Sequence, residues 1–389
     1  MRRKLVVVIT ARASYSRFKT VLQLLSRRND IDLSILLAAS AAEKEYGDVE
    51  RQMREDGIEI SAVLKTLSPD DSLEAMTETT GKTLLLLGRY FAECRPDAVV
   101  TIADRYETLA TAIAAAYQNI PLIHIQGGEV SGNIDEKVRN AISKLADLHI
   151  VCTQRARSYL IRMGENADRV FMAGCPSCDL AEGVCQKSGL SREMLRKYLP
   201  EEALSEIKEK AYYVILMHAV TNEQAENLRH TRNLLDAAVQ TGSPVLWVMP
   251  NVDAGSENVR SICQGIRTEK IHVLQGVDNL DFLELLFFSK GFIGNSSVGI
   301  RECSYMGVPA VNIGSRQFGR ERGPNVIDCG YASGEILEAI RRIGPEQRER
   351  CQLYGDGHAA EKIAEFLCTC HLSSSKTLSY VFEPDLREQ

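Results

Sequence analysis

The residues best suited to chemistry stand where short apolar runs end. Asp104 and Arg105 follow Ala98–Ala103, with Glu107 on the helix that begins there. His124 lies in the run Pro121–Ile125, and Gln126, Glu129 and Asp135 come after it. Gly127 and Gly128 stand between them, where a missing Cβ lets main chain approach a ligand. Carboxylates on neighbouring strand ends suit proton transfer on one substrate. For Asp104 a helix cap is the competing reading, because Asp is a favoured capping residue. His218 ends a third run, Tyr212–Met217. A lone histidine is more often structural than catalytic, but a strand end is where a catalytic one is expected.

A second group of residues is suited to holding an anion. Gly294-Asn295-Ser296-Ser297-Val298-Gly299 combines a glycine turn with paired hydroxyls at a helix start, and Glu302 stands one turn into that helix. Backbone N–H groups and serine hydroxyls at a helix start can bind phosphate, and Glu302 could accept hydrogen bonds from two ribose hydroxyls. The competing reading is a capped helix with a solvent-facing glutamate. Neither Gly-Lys-Ser/Thr nor G-x-G-x-x-G is present in this segment, which excludes the two common glycine-rich phosphate loops. Arg316 and Arg320 follow Ala310–Ile313, where they could pair with phosphate oxygens or simply decorate a surface loop. Arg12, Ser14 and Ser16 stand between the first strand and first helix; either serine could instead cap that helix. Cys175, Cys178, Cys185 and His218 contain one C-x-x-C without a matched second pair, so the spacing disfavours zinc.

Positioning these groups requires an alternating architecture. Lys4–Thr10, Asp32–Ala38, Ala98–Ala103, Pro121–Ile125 and Leu148–Cys152 read as strands covered on both faces. Helical patterns at roughly 69–94, 105–117 and 154–163 separate them. A second series follows: a charged helical stretch near 190–210, then Tyr212–Met217, Pro244–Met249, Ile271–Leu274, Gly291–Ile293 and Ala310–Ile313. Such alternation implies right-handed βαβ units and parallel sheets. The expected class is α/β, with two Rossmann-like doubly wound domains facing a central cleft. Gly, Pro and Ser interrupt the pattern near 174–186, which gives domains 1–180 and 181–356 and a closing helix with its tail over 357–389. Ligands in such sheets bind outside the carboxyl ends of the strands.

Composition narrows the class further. A chain of 389 residues is long enough for two or three domains. A formal charge of −6 argues against broad nucleic-acid binding. The 11 scattered cysteines look like reduced thiols and not like a secreted disulfide framework. Met1-Arg2-Arg3-Lys4 before LVVVIT imitates a signal peptide, but the apolar run is shorter than an h-region. No run reaches the length of a membrane span. A cytoplasmic protein with no membrane partner is expected.

Taken together, these segments resemble the hydrolysing UDP-N-acetylglucosamine 2-epimerases of sialic acid biosynthesis. The resemblance covers nearly the whole chain and rests on Asp104-Arg105-Tyr106, on His124 to Gly132 (HIQGGEVSG) and on Gly174-Cys175-Pro176-Ser177. It continues through Pro250 to Ser256 (PNVDAGS), the GNSS segment and Tyr354-Gly355-Asp356-Gly357. The chain is similar to the epimerase half of the animal bifunctional enzyme, and no sugar-kinase segment is recognised in it. The resemblance implies a GT-B fold whose last helix packs across the N-terminal domain. It implies UDP-N-acetylglucosamine and UDP as small-molecule partners, a homodimer or homotetramer, and no NAD, other cofactor or catalytic metal. It places Ser296 and Ser297 on phosphate, Glu302 on ribose, and Arg12, Ser16 and Arg316 on the UDP moiety. Arg105, Gln126 and Asn251 join the substrate contacts, and Asp104, Asp135 and His218 the catalytic groups.

The implied chemistry begins with departure of UDP from sugar carbon 1, because the hydrogen on carbon 2 is not beside a carbonyl. Loss of that hydrogen to a carboxylate gives 2-acetamidoglucal, and hydration from the other face gives N-acetylmannosamine. Two positions depart from the family pattern. Residue 126 is Gln where the animal enzyme and non-hydrolysing relatives have glutamate, which makes Glu129 the nearest substitute acid. Ala219 follows His218 where many relatives have Pro. Three alternatives remain at this point: another activated sugar (GDP-linked, or a 2,4-diacetamido hexose), a non-hydrolysing epimerase, and a catalytically silent nucleotide-sugar sensor.

Overall fold

Aliphatic, β-branched runs with no exposed face build two parallel sheets in this computed structural model. It describes residues 2–70, 72–131, 134–250 and 256–379, with the side chains at 221, 222, 345 and 346 excepted. The chain divides into two units: residues up to Glu129, Asp135–Pro176 and the stretch from His358 in one, Val130 and Ser177–Gly357 in the other.

The first unit runs β1 (Arg3–Ile9), α1 (Arg12–Ser26), β2 (Ile31–Ala38), α2 (Val49–Glu55), β3 (Ala62–Leu64), α3 (Leu73–Cys94) and β4 (Ala98–Ile102). It continues with α4 (Thr108–Tyr117), β5 (Leu122–Ile125), α5 (Ile134–Leu145), β6 (Leu148–Val151), α6 (Gln154–Arg162) and β7 (Val170–Met172). The strands pair in the order β3-β2-β1-β4-β5-β6-β7. Leu5 to Ile9 are all buried, as a strand covered on both faces requires. The arginine-and-lysine start therefore leads directly into a core strand.

The second unit begins at α7 (Pro176–Cys185) and continues with α8 (Arg192–Arg196), α9 (Glu201–Leu204), β8 (Tyr213–Leu216), α10 (Asn227–Gln240), β9 (Val245–Val248) and α11 (Ser256–Gly265). Then come β10 (Ile271–Leu274), α12 (Asn279–Phe287), β11 (Gly291–Gly294), α13 (Glu302–Met306), β12 (Ala310–Ile313), β13 (Val326–Cys329) and α14 (Ser333–Arg341). Its order is β10-β9-β8-β11-β12-β13, again parallel throughout.

The closing helix α15 (Ala359–Thr369) belongs to the first unit and packs on α1. Its Ala360, Ile363, Ala364 and Leu367 join Tyr15, Phe18, Val21, Leu22 and Leu25 of α1 over one face of the sheet. Arg3 caps its end, donating from Nη1 to the Leu367 carbonyl at 2.6 Å and from Nη2 to that of Cys370 at 3.0 Å. Ile363 is fully buried there, so Ile363→Ala would leave a cavity costing about 2–5 kcal/mol.

Several sequence expectations need correction. The helix expected from 69 starts at Leu73, where the Ser72 side chain accepts from the Ala75 amide. The helix expected from 105 starts at Thr108. The stretch near 190–210 is two short helices with Pro200 between them. The interruption at 174–186 contains α7, whose first residue is Pro176, a position where proline suits a helix. Short strands β3, β7 and β13 carry too few residues to show periodicity. Among the described residues no helix is long and apolar enough to cross a membrane.

Candidate active site

Each sheet reverses its strand order once, between β1 and β4 in the first unit and between β8 and β11 in the second. Doubly wound sheets bind ligands at such switch points, outside the carboxyl ends of the strands. The candidate residues fall there. Arg12 follows β1 and Asp104 follows β4; His218 follows β8 and Ser296 follows β11.

In the first unit, α1 begins at Arg12 with Ala11 as an N-cap lacking any side-chain cap bond. Ser14 and Ser16 thus lie inside the helix, and neither caps it. The stem of Arg12 lies against Gly47, where a Cβ would meet Arg12 Cδ at 2.4 Å; Gly47 also needs its φ of +110°. After β4, Asp104 is no cap, because α4 is preceded by Glu107. Asp104 instead forms an ion pair with Arg139 of α5, a side chain only 1% exposed. Arg139 Nη1 also donates to the Glu129 carbonyl at 2.6 Å and to Glu136 Oε2 at 3.0 Å. Burial opposes the Arg139 charge, yet Asp104, Glu129 and Glu136 together hold its pKa above the ordinary value. Asp135 lies in the first turn of α5 beside Glu136. Arg105 Nε donates to the fully buried Glu107 at 2.7 Å, which fixes that guanidinium at the sheet mouth.

Gln126 is buried at φ 69°, a left-handed conformation uncommon for a non-glycine residue. Its Oε1 accepts from Arg17 Nη1 at 3.4 Å and its Nε2 donates to Cys175 Sγ at 3.3 Å. Next to it, Gly128 has φ 75°, and a Cβ would meet the Ala156 carbonyl oxygen at 2.3 Å. Gly128 thus packs the β5 loop against α6, and the following Glu129 is buried beside Arg139.

In the second unit the organiser is Asn295. Its Oδ1 accepts from the His218 amide at 2.7 Å and its Nδ2 donates to the His218 carbonyl at 2.8 Å. Its own carbonyl accepts from Arg316 Nη1 at 3.2 Å and Gln317 Nε2 at 3.0 Å. One buried residue therefore joins the loops after β8, β11 and β12, by its side chain to the first and by its carbonyl to the last. Gly294, at φ 150°, lets this happen, since a Cβ would meet the Leu216 carbonyl oxygen at 2.1 Å. Ser296 caps a single 3₁₀ turn, Ser297–Gly299, and Glu302 is the first residue of α13 rather than one turn into a continuous helix. Asn251 lies outside the described residues.

The comparisons decide the family. A family model for UDP-N-acetylglucosamine 2-epimerase matches residues 23–368. The chain is 32% identical over 376 residues to a UDP-N,N'-diacetylbacillosamine 2-epimerase (hydrolyzing) of Legionella pneumophila, covering 96% of this chain and 98% of that protein. The chain belongs to the UDP-N-acetylglucosamine 2-epimerase family. A UDP-N-acetylglucosamine 2-epimerase of Neisseria meningitidis is 28% identical over 346 residues, 87% of each chain. A crystal structure of UDP-GlcNAc 2-epimerase from Neisseria meningitidis bound to UDP-GlcNAc superposes with a TM-score of 0.79. It is 19% identical and covers 94% of this chain and 99% of that one, a likeness that establishes the GT-B-like fold. The chain is thus a UDP-sugar 2-epimerase, with acids at one switch point and a serine-arginine loop pair at the other.

Two residues that organise these loops, Arg139 and Asn295, were not marked by the sequence. Arg139 is four residues beyond Asp135 and so on the same helical face, a spacing that could have drawn attention to it. Asn295 was visible only as part of a glycine-serine turn, because its partners come from another strand end. Cys175 and Cys178 are engaged elsewhere: Cys175 accepts from Gln126, and Cys178 donates to the Tyr354 carbonyl at 3.8 Å. Among the described residues no group of three or more His, Cys, Asp or Glu is placed to hold a metal.

Proposed function

We propose that this UDP-sugar 2-epimerase is hydrolysing, converting UDP-N-acetylglucosamine and water to N-acetylmannosamine and UDP. The observation that carries the reading is the acid cluster around Arg139 at the first switch point: Asp104 ion-paired, Glu129 beside it, and Asp135 on the first turn of the same helix. The C1–O bond breaks with its electrons going to UDP, while Asp104 or Asp135 takes the proton from carbon 2. The resulting C1=C2 bond is 2-acetamidoglucal. Water then adds its oxygen to carbon 1, and a proton reaches carbon 2 from the opposite face, inverting it. Ser296 and Ser297 hold phosphate, Arg12, Ser16 and Arg316 hold the UDP moiety, Arg105 joins the substrate contacts, and Glu302 binds ribose. His218, held by Asn295, stabilises or protonates the departing phosphate.

A second substrate is favoured by one observation: the Legionella pneumophila relative is named for UDP-N,N'-diacetylbacillosamine, a 2,4-diacetamido sugar. Both sugars serve in one test, run in heavy water containing oxygen-18. The expected product is a free 2-epimerised sugar with one deuterium at carbon 2 and the heavy oxygen at carbon 1, and unlabelled UDP. Deuterium exchange without release of free sugar would instead identify a non-hydrolysing epimerase. Oxygen-18 in UDP would mean attack at phosphorus and end the elimination mechanism.

A further inference from the structure

We propose that His124 is a positioning residue for Asp104, acting through the main-chain carbonyl of Ala103. The proposal rests on the reading of Asp104 as a proton-transfer group. His124 is fully buried on β5. Its Nε2 lies 2.9 Å from the Ala103 carbonyl oxygen and its Nδ1 3.1 Å from Ser143 Oγ. A carbonyl can only accept, so Nε2 carries the proton and Nδ1 accepts from the serine hydroxyl. Burial pushes the imidazole pKa down to about 3, which leaves this neutral tautomer in place at working pH.

The carbonyl it holds is in an unusual place. Ala103 has φ 64°, a left-handed conformation that an alanine adopts only where its surroundings dictate it. On its other side the Ala103 amide donates to the Ile125 carbonyl at 2.9 Å, so the residue is fixed at both ends. Gly127 supplies the space. A Cβ there would lie 2.9 Å from Ser143 Oγ and 3.0 Å from His124 Nδ1. Helix α5 therefore grips Asp104 twice, directly by Arg139 on the carboxylate and indirectly by Ser143 through His124 on the preceding carbonyl. Without the histidine, Ala103 relaxes toward an ordinary φ and turns Asp104 off its aim.

The test compares His124→Phe, which keeps a flat ring but no donor, with His124→Gln, whose amide can reach the same carbonyl. On whichever of the two UDP-sugars is turned over, His124→Phe should lower kcat about 10- to 100-fold with KM changed less than about threefold. His124→Gln should recover much of it. Adding Ala103→Gly to His124→Phe should also recover part of the activity, because glycine adopts φ near 64° without the Cβ penalty that drives alanine away. In the Asp104→Asn background, His124→Phe should cost less than about threefold more. Equal losses in both backgrounds, or no rescue by Ala103→Gly, would show that the histidine only packs the core. Full activity of Asp104→Asn itself would remove the underlying reading as well, a distinct result. Hydrogen exchange of the 103–107 backbone gives an activity-independent readout: faster in His124→Phe supports the clamp, unchanged overturns it.

Discussion

The two switch points are organised by different kinds of side chain. In the first unit a buried guanidinium, Arg139, gathers Asp104, Glu136 and the Glu129 carbonyl. In the second the buried, neutral Asn295 holds the His218 loop through its side-chain amide, while its main-chain carbonyl accepts from Arg316 and Gln317. A charged organiser fixes geometry and also biases the ionisation of what it holds. A neutral one fixes geometry alone. Under the proposed reaction this matches the tasks: the carbon-bound proton moves at the acids of the first unit, whereas the loops of the second hold the phosphates and orient His218.

The largest expected effect tests the acid side. Asp104→Asn and Asp135→Asn should each lower turnover by roughly 10²–10⁴-fold. UDP affinity, measured by calorimetry, should stay nearly constant. If both variants keep full turnover, the proton-transfer groups lie elsewhere and the contrast between the units loses its meaning.

Next in size is the cost of removing each organiser. Arg139→Met strips the partner from Asp104 in a buried setting and should destabilise the fold by about 3–5 kcal/mol. Asn295→Ala leaves main-chain groups of His218 unpaired and should cost about 1–3 kcal/mol. Thermal unfolding of the two variants checks the order. Combining Arg139→Met with Asp104→Asn should restore part of the first loss, because the stranded charge goes with it; strict additivity would mean that the ion pair is not the reason.

Much of this was legible in the sequence, and the exceptions share a cause. The strands β1, β4, β5, β8 and β11 announced themselves as buried aliphatic runs, and their carboxyl ends predicted where functional residues would collect. Strands β3, β7 and β13, whose residues are mostly not buried, exist because a neighbour pairs with them. Their own residues do not demand it. The same holds within the sites. Asp104 and Ser296 are recognisable by type and place, whereas His124, Arg139 and Asn295 each act on a partner in another element, 19, 35 and 77 residues away. Local spacing cannot reveal a partner from another strand end. The left-handed φ of Ala103 and Gln126 was hidden too, since both are non-glycine residues held there by tertiary bonds.

On the nucleotide side, Ser296→Ala should weaken UDP binding by about 1–3 kcal/mol, the range for losing one hydrogen bond to a charged group. Turnover at saturating substrate should change little, the reverse of the Asp104→Asn pattern. Unchanged UDP affinity would count against placing phosphate on this loop. Ser296 also caps its own 3₁₀ turn, accepting from the Val298 amide at 3.4 Å. Ser296→Asp, which can also cap but repels phosphate, separates the two roles: it should bind UDP less well than the alanine variant if phosphate sits there.

The smallest expected effect is at Gln126, and it decides whether the acid side is complete. The glutamine is satisfied where it stands, between Arg17 and Cys175, at 3.4 and 3.3 Å. In Gln126→Glu the new carboxylate keeps an acceptor for Arg17 and gains an opposite charge there, but it loses the donor to the Cys175 sulfur. These changes oppose each other, so the fold should accept the substitution. If Glu129 already supplies the acid at the end of β5, turnover of Gln126→Glu should stay within about threefold of the parent. Glu129→Gln should then lower turnover, and adding Gln126→Glu to it should restore some of the loss. A rise of tenfold or more in the single Gln126→Glu variant would show instead that an acid was missing beside Cys175. Glu129 would then be a structural partner of Arg139, and Asp104 and Asp135 would share the reaction with a position that this chain leaves uncharged.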